Sequence, residues 1–384
     1  MRLILKVRQF INLIPVLCLS ACASAPNAPG RWSLDGVSLY DSGYEKGTEI
    51  ISVQQTTLRA VLSNFETGEV DVLDISQPTH LQRIARFPLG LSKGEELTSV
   101  AFHPCLDLFA AVIDASTKPG RLVIHSASTG LLQGQVTVGY GPDAVVFSET
   151  GKLILVANEG EDFWYDRTKK EFFTPEGSIS IVHLDNTGKI EKTTPLALAD
   201  MTNHEGFVIA KGGRFLERAV DWDGDGKISK KLDFDGDGLI ENKNISLGQF
   251  QGHEVFGSES KGEAKILIPI MSYSPAVLEP EYIAISPDES KAYVTLQEDD
   301  AVAVVDLIHE QVIRYYGLGI SQHKSDAHND GWVKFDQAFS ALREPDGITT
   351  TSDGRYFITA DEGDTDFDSP PDAINQVGSG GRSV

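Results

Sequence analysis

Residues 280–317 read PEYIAISPDESKAYVTLQEDDAVAVVDLIHEQVIRYYG. Pro280-Glu281 opens a run of about five β-forming residues. A turn rich in Ser, Asp and Glu follows, then a second run that ends in acids at Glu298, Asp299 and Asp300. AVAVVDL (301–307) is a third run and QVIRYYG (311–317) a fourth. β-branched and aromatic residues bounded by turn chemistry read as strands, so this stretch predicts four short strands in succession.

The pattern returns along the chain. Pro142-Asp143 opens PDAVVFSETGKLILVANEGE, and Pro345-Asp346 opens PDGITTTSDGRYFITADEGD. A degenerate copy is TSVAFHPCLDLFAAVIDA at 98–115. Third strands are VDVLDI (70–75), RLVIHS (121–126) and SISIVHL (178–184), and QGQVTVG (133–139) is a further fourth strand. Helical periodicity is nearly absent. Self-similarity at roughly forty residues, with four strands per unit, predicts an all-β fold, a β-propeller of four-stranded blades. The blades occupy 35–199 and 279–366, with an insertion at 200–278 between them and a disordered tail at 367–384. The last copy stops after its second strand, so four to five blades are expected, a shortened version of a longer propeller.

The first 22 residues are expected to be a lipoprotein signal peptide. Arg2, Lys6 and Arg8 form a basic region, and Phe10 to Leu19 is apolar but too short to span a bilayer. Leu19-Ser20-Ala21-Cys22 resembles the lipobox of bacterial lipoproteins, with Cys22 as the lipidated residue and 23–34 as a tether. This predicts an exported, membrane-anchored protein of the cell envelope, at the outer membrane where the cell has one. Without the leader the chain keeps 30 of its 33 Lys and Arg and all 56 Asp and Glu, a formal charge of about −26. Such a surface disfavours nucleic acid and favours cations. Cys105 is left as a single thiol, expected as a buried small hydrophobe and not as a nucleophile.

VDVLDIS (70–76), LILVANEGE (153–161), PEGSISIVHL (175–184), the block at 278–307 and PDGI…TADEGD (345–364) resemble the bacterial extracellular proteins of the choice-of-anchor I family. They are similar also to the mesenchyme-specific cell-surface glycoprotein-like propellers. The resemblance implies YVTN-like blades of the seven-bladed type. Some family members carry an alkaline phosphatase label.

Two sets of acids stand out. Asp221-x-Asp223-x-Asp225-Gly226 and Asp233-x-Asp235-x-Asp237-Gly238 lie twelve residues apart. Carboxylates at alternate positions before a glycine present oxygens to a hard cation such as calcium. The twelfth positions are Leu232 and Asn244, which departs from an EF-hand, and the offset resembles thrombospondin type 3 repeats. The expected ligands are the six aspartates with Glu241, and Lys227 and Leu239 offer backbone carbonyls.

The second set recurs at the ends of second strands: Glu159 and Glu161, Glu298 with Asp299 and Asp300, and Asp361, Glu362 and Asp364. Asp143, Glu279, Glu281 and Asp346 open the first strands. Equivalent positions of successive blades ring a propeller axis. The repeats can therefore gather carboxylates at one mouth of the channel, where repulsion raises pKa values or a metal neutralises them. The plainer reading is that acids cap strand ends in water.

His323-x-x-Asp326-x-His328-x-Asp330 could ligate a transition metal but reads more simply as a polar excursion. His204-Glu205 and His253-Glu254 belong to no H-E-x-x-H helix. The sequence has no G-x-S-x-G elbow, no glycine-rich phosphate loop before a helix and no Cys/His knuckle.

The expected function is a monomeric, lipid-anchored binding or scaffold module stabilised by calcium, presented to a surface protein or polymer. The alternative is a phosphoric-ester hydrolase dependent on calcium or iron, with Glu159, Glu298 and Glu362 as the metal-binding catalytic candidates.

Overall fold

The computed structural model describes residues 38–44, 47–160, 164–166, 171–173, 175–198, 204–205, 214–215, 218–219, 256–260, 263–267, 269–270, 278–297, 299–318, 320–325, 331–335, 337–362 and 377–378. Among them the only regular structure is β. Blade 1 is β1 (Thr48–Gln54), β2 (Arg59–Asn64), β3 (Glu69–Asp74) and β4 (Gln82–Pro88). Blade 2 is β5 (Glu96–Phe102), β6 (Leu108–Asp114), β7 (Arg121–Ser126) and β8 (Leu132–Thr137). Blade 3 is β9 (Pro142–Phe147), β10 (Leu153–Asn158), β13 (Ser178–Leu184) and β14 (Ile190–Ala197), and a small hairpin, β11 (Trp164–Asp166) with β12 (Glu171–Phe173), leaves it after β10.

The insertion holds β15 (His204–Glu205), β16 (Arg214–Phe215), β17 (Arg218–Ala219), β18 (Phe256–Ser260), β19 (Glu263–Leu267) and β20 (Pro269–Ile270). Blade 4 follows as β21 (Pro280–Ile285), β22 (Lys291–Leu296), β23 (Ala301–Asp306) and β24 (Gln311–Gly317), and β15 extends its outer edge in parallel with Tyr315 and Tyr316. The hairpin β25 (Ile320–Ser325) with β26 (Gln337–Leu342) precedes a two-stranded fifth unit, β27 (Pro345–Thr350) with β28 (Phe357–Asp361). Within the expected unstructured tail, β29 (Val377–Gly378) pairs with Ser340 and Ala341 of β26.

The inner strands β1, β5, β9, β21 and β27 pack side by side in that order. Blades 2, 3 and 4 each lie between two neighbouring sheets, and successive side chains of a strand point to opposite faces. Phe109, Ala111 and Ile113 of β6 therefore face blade 1 with Val61, Val70 and Val72. Ala110 and Val112 of the same strand face blade 3 with Ile154 and Val156. Leu155 and Ala157 of β10 turn the other way, against Ile283, Val294 and Ala303 of blade 4. Both faces are dry, so the middle strands read as unbroken apolar runs. Each wholly buried Leu, Ile or Val contributes roughly 1.5–3 kcal/mol. In the last unit, Ile348 and Phe357 pack on Val302 and Tyr293 of blade 4, while Ile358 remains 45% exposed.

The turns explain the recurring Ser, Asp and Gly. Asp288 accepts the amide of Ser290 at 3.0 Å, and Asp353 accepts that of Arg355 at 3.1 Å. Glu289 reaches back to blade 3 and accepts the amide and hydroxyl of Thr150 at 2.6 and 2.9 Å. In the degenerate copy His103 takes this part, its Nδ1 accepting the amides of Cys105 and Leu106. Cys105 is thereby exposed at a turn, not buried, because the turn geometry directs the side chain outward. Within blade 1, buried Asp71 receives Arg86 at 2.6 and 2.7 Å and the hydroxyl of Tyr40, which precedes the blade, at 2.7 Å, and so ties residues 40–44 to it.

Third strands begin after Gly68, Gly120, Gly177 and Asp300, the point where each blade meets the lead-in to the next. A Cβ on Gly177 would lie 1.8 Å from the Leu278 carbonyl oxygen and 2.9 Å from Pro280. Gly177→Ala should destabilise the protein by about 1–3 kcal/mol in urea titration. Gly134→Ala meets only Ile190, at 3.4 Å, and should change stability by less than about 0.5 kcal/mol.

Candidate functional site

Every inner strand breaks register with its neighbour at the same place. The break falls at Glu49 and Ile50 in β1, at Thr98 in β5, at Asp143 in β9, at Glu281 and Tyr282 in β21, and at Asp346 in β27. A β-bulge releases its residue from the ladder and re-aims the side chain. Hydroxyls take up the freed backbone groups. Ser63 accepts the amide of Ile50 at 3.0 Å, and Thr295 accepts that of Tyr282 at 2.8 Å. Thr295 also donates to the Asp346 carbonyl at 3.2 Å, and Thr98 donates to that of Pro142. Bulges of adjacent blades are thus stitched together around the axis.

Four of the five bulges carry a carboxylate. The acid that follows β10 joins them: oxygens of Asp143, Glu159 and Glu281, all half-buried, lie within 4.8 Å of one another. Burial, then the charges of Glu281, Glu49 and Asp346, push Asp143 well above the usual carboxylate range. Burial, then Glu362 and Glu49, push Asp346 up as well. Burial, Asp346 and Asp143 raise the Tyr282 phenol. Among the described residues, every charged neighbour that shifts these two aspartates is itself an acid. Two like charges at about 4 Å repel by roughly 1 kcal/mol even in bulk water, and by more at a half-buried site.

A cavity of ≈ 510 Å³ opens beside this ring, lined by Thr48, Glu49, Phe65, Thr98 and Asp143. A second, of ≈ 330 Å³, lies at the far ends of β9, β21 and β27 and has a mixed lining, with Val146, Phe147, Ile283 and Ile285 beside Glu149, Ser286 and Thr350.

The recurring acids separate into two groups. Asp143, Glu159, Glu281, Asp346 and Glu362 belong to the ring. Asp300 and Asp361 do not; they form a joint between blade 4 and the fifth unit. Asp300 is fully buried, with φ +52°, at the position glycine holds in blades 1–3. One of its oxygens accepts the amides of Arg343 and Glu344 at 2.9 and 3.2 Å, and Asp361 pairs with the Arg343 guanidinium at 3.2 Å. Burial, reinforced by Asp361, pushes Asp300 up to about 7 despite those amides.

Glu298, Glu161, Asp364, Cys22 and the calcium-loop set Asp221, Asp223, Asp225, Asp233, Asp235, Asp237 and Glu241 lie outside the described residues. His323 sits in strand β25, not in a loop, with Ser321 Oγ 2.6 Å from its Nε2. Sequence reasoning missed Glu49, Thr48 and Phe65. Blade 1 opens without the Pro-acid pair and turns at Gln54–Leu58 without the Ser-Asp-Gly signature. An acid just before a β-branched run was the available signal.

Fold and site together define a β-propeller with an acidic mouth. The choice-of-anchor I domain family matches residues 49–235 and 195–377, and this chain belongs to that family. No curated protein matches it. Among solved structures it is similar to hydrazine synthase of Kuenenia stuttgartiensis, at 12% identity over 81% of this chain and 79% of that one, with a TM-score of 0.36. The β-propeller domain of Cps50 (Swd1) from Myceliophteria thermophila shares 11% identity over 67% and 56% of the two chains, with a TM-score of 0.35. Kluyveromyces lactis Hsv2 shares 12% over 81% and 70%, with a TM-score of 0.32. The propeller assignment rests on the blade topology itself.

A carboxyl raised in the folded state holds its proton more tightly folded than unfolded. Asp300 therefore favours the fold fully below about pH 4, and that contribution is lost as pH climbs toward 7. Asp300→Asn should flatten the fall in stability between those values, an effect on the order of 1–3 kcal/mol in denaturation measured across pH.

Proposed function

We propose that this chain is a lipid-anchored, exported propeller that acts as a calcium-stabilised binding module, with calcium held at the axial mouth as well as in the aspartate loops of the insertion. The observation that carries this reading is the convergence of Asp143, Glu159 and Glu281 from two adjacent blades. The donors are all carboxylate oxygens, which suit a hard cation that takes six to eight oxygens, with water completing the shell. Iron sites of the two-histidine, one-carboxylate type have no counterpart in this donor set. Calcium would join blades 3 and 4 through their bulges and relieve the repulsion among the acids. The anchor at Cys22 would hold the module on the envelope, its mouth presented to a surface protein or polymer.

The hydrolase reading draws on the same acids. Its substrate is an anion, and among the described residues the charged groups that act on one another at the mouth are Glu49, Asp143, Glu159, Glu281, Asp346 and Glu362. One calcium leaves that ring with excess negative charge, which opposes phosphate binding. Binding is therefore favoured over ester hydrolysis.

Calorimetric titration of the mature chain with calcium tests the proposal. Glu159→Gln and Asp143→Asn should each weaken one class of sites at least ten-fold, and Asp223→Asn should affect a different class. Affinity at the mouth should fall as pH is lowered, because Asp143 then keeps its proton. Unchanged calcium binding in both mouth variants would overturn the assignment. Metal-stimulated turnover on a panel of phosphate esters would restore the hydrolase.

A further inference from the structure

Three of the most exposed large apolar residues stand almost side by side between β25 and β26. Trp332 is 72% exposed, Val333 78% and Phe335 66%, with Lys334 exposed among them. Single apolar residues scattered over a surface are ordinary, but a contiguous run marks an interaction surface. The hairpin springs from the mouth end of the propeller. β24 finishes at Gly317, which pairs with Ala301, and Ala301 lies in line with Leu296 and with Pro280 at the start of the inner strand. β26 returns at Leu342, just before β27 begins at Pro345. β25 and β26 pack mainly on each other, with β29 along the edge of β26. The hairpin therefore stands off the blades, and six-residue strands carry its tip roughly 20 Å.

The side chains of the tip define what it meets. Val333 and Phe335 have no polar side-chain atom, so they gain by leaving water and not by hydrogen bonding. Trp332 has an apolar body with one N–H, and Lys334 an ammonium on an apolar stem. Both can keep a polar end in water while the rest enters an apolar phase. Aromatic and apolar residues with a lysine among them are the composition of a segment that lies at a membrane–water interface. We infer that the β25–β26 tip inserts Trp332, Val333 and Phe335 into the interfacial layer of a lipid bilayer, with Lys334 among the headgroups. The inference rests on the reading of the chain as lipid-anchored, which supplies the bilayer, and gives the anchored protein a second point of contact. The chain enters blade 1 at the end away from the mouth, where the Ser38 hydroxyl accepts the Leu81 amide at 3.4 Å. Residues 23–37 can extend to about 50 Å. A blade strand and the hairpin are each roughly 20 Å long, so this tether is long enough to bring the tip to the membrane that holds Cys22. The mouth would then stand about 20 Å from the headgroups, roughly two Debye lengths, where its negative charge is screened.

Flotation of the unlipidated mature chain with phosphatidylcholine vesicles, with tryptophan fluorescence read in parallel, tests this. The chain should float with the vesicles and its emission should shift to the blue. Trp332→Ala and Phe335→Ala should each lower the bound fraction at least five-fold, with thermal melting unchanged as the check on folding. Trp332→Phe should still float but lose the blue shift, which places Trp332 itself at the interface. A chain that does not float, or that floats equally well in both alanine variants, overturns the inference. The chain tested carries no lipid, so this outcome is independent of the anchor. Mass spectrometry of Cys22 in protein extracted from membranes reads the anchor separately, and the two failures are distinguishable.

Discussion

The register break at the start of each inner strand is the constraint on which the rest of the mouth depends. A regular strand between two packed neighbours sends its side chains into the inter-blade layers. Those layers are filled with Val, Ile, Leu and Ala and leave no place for a carboxylate. The extra residue at each bulge escapes this rule. It lies outside the ladder, so Glu49, Asp143, Glu281 and Asp346 can be charged without entering a dry interface. The freed backbone groups still need partners, and the Ser63, Thr98 and Thr295 hydroxyls supply them. Structure and electrostatics meet in the same residues, because the hydroxyls that stabilise the bulges also set the spacing of the acids.

Burial on both faces couples the blades mechanically. A strand such as β6 shares its odd residues with one neighbour and its even residues with the other, so displacing one blade disturbs two layers. The joints between blades are the places where backbone approaches backbone. Glycine solves this in blades 1–3 by having no Cβ. Before the fifth unit, the chain uses Asp300, whose carboxylate spans the joint and holds the Arg343 and Glu344 amides. That solution carries a buried charge, with Asp361 and Arg343 close by, and so links cohesion of the last unit to protonation. The glycine joints have no such dependence.

Much of this was legible in the chain. Repeated openers of Pro and an acid, Ser-Asp-Gly turns and apolar second and third strands place blades 2 to 4 and the fifth unit where the structure finds them, and the family assignment agrees. The same repetition pointed to a ring of acids at equivalent positions. Blade 1 was only half legible, since its first hairpin lacks the turn residues that mark the others, and Glu49 and Phe65 were lost with it. Nor did repetition reveal that Asp361 and Glu362, adjacent in sequence, serve different ends. One pairs with Arg343 at the joint, and the other acts on Asp346 at the mouth.

The division between the two levels has a physical basis. Strand formation, turn type and the choice of apolar or polar residue are local decisions, driven by backbone conformation and by the alternation of faces, and a linear pattern records them. By itself, the sequence determined an all-β chain of repeated four-stranded units with acids at fixed points of each repeat. Which of those acids meet was decided only by the tertiary structure. Their distances depend on bulge geometry and on the angle between blades, and their charge states depend on burial and on acids more than a hundred residues away in the chain. Electrostatic energy depends on separation in space, and no periodicity in the sequence encodes that separation.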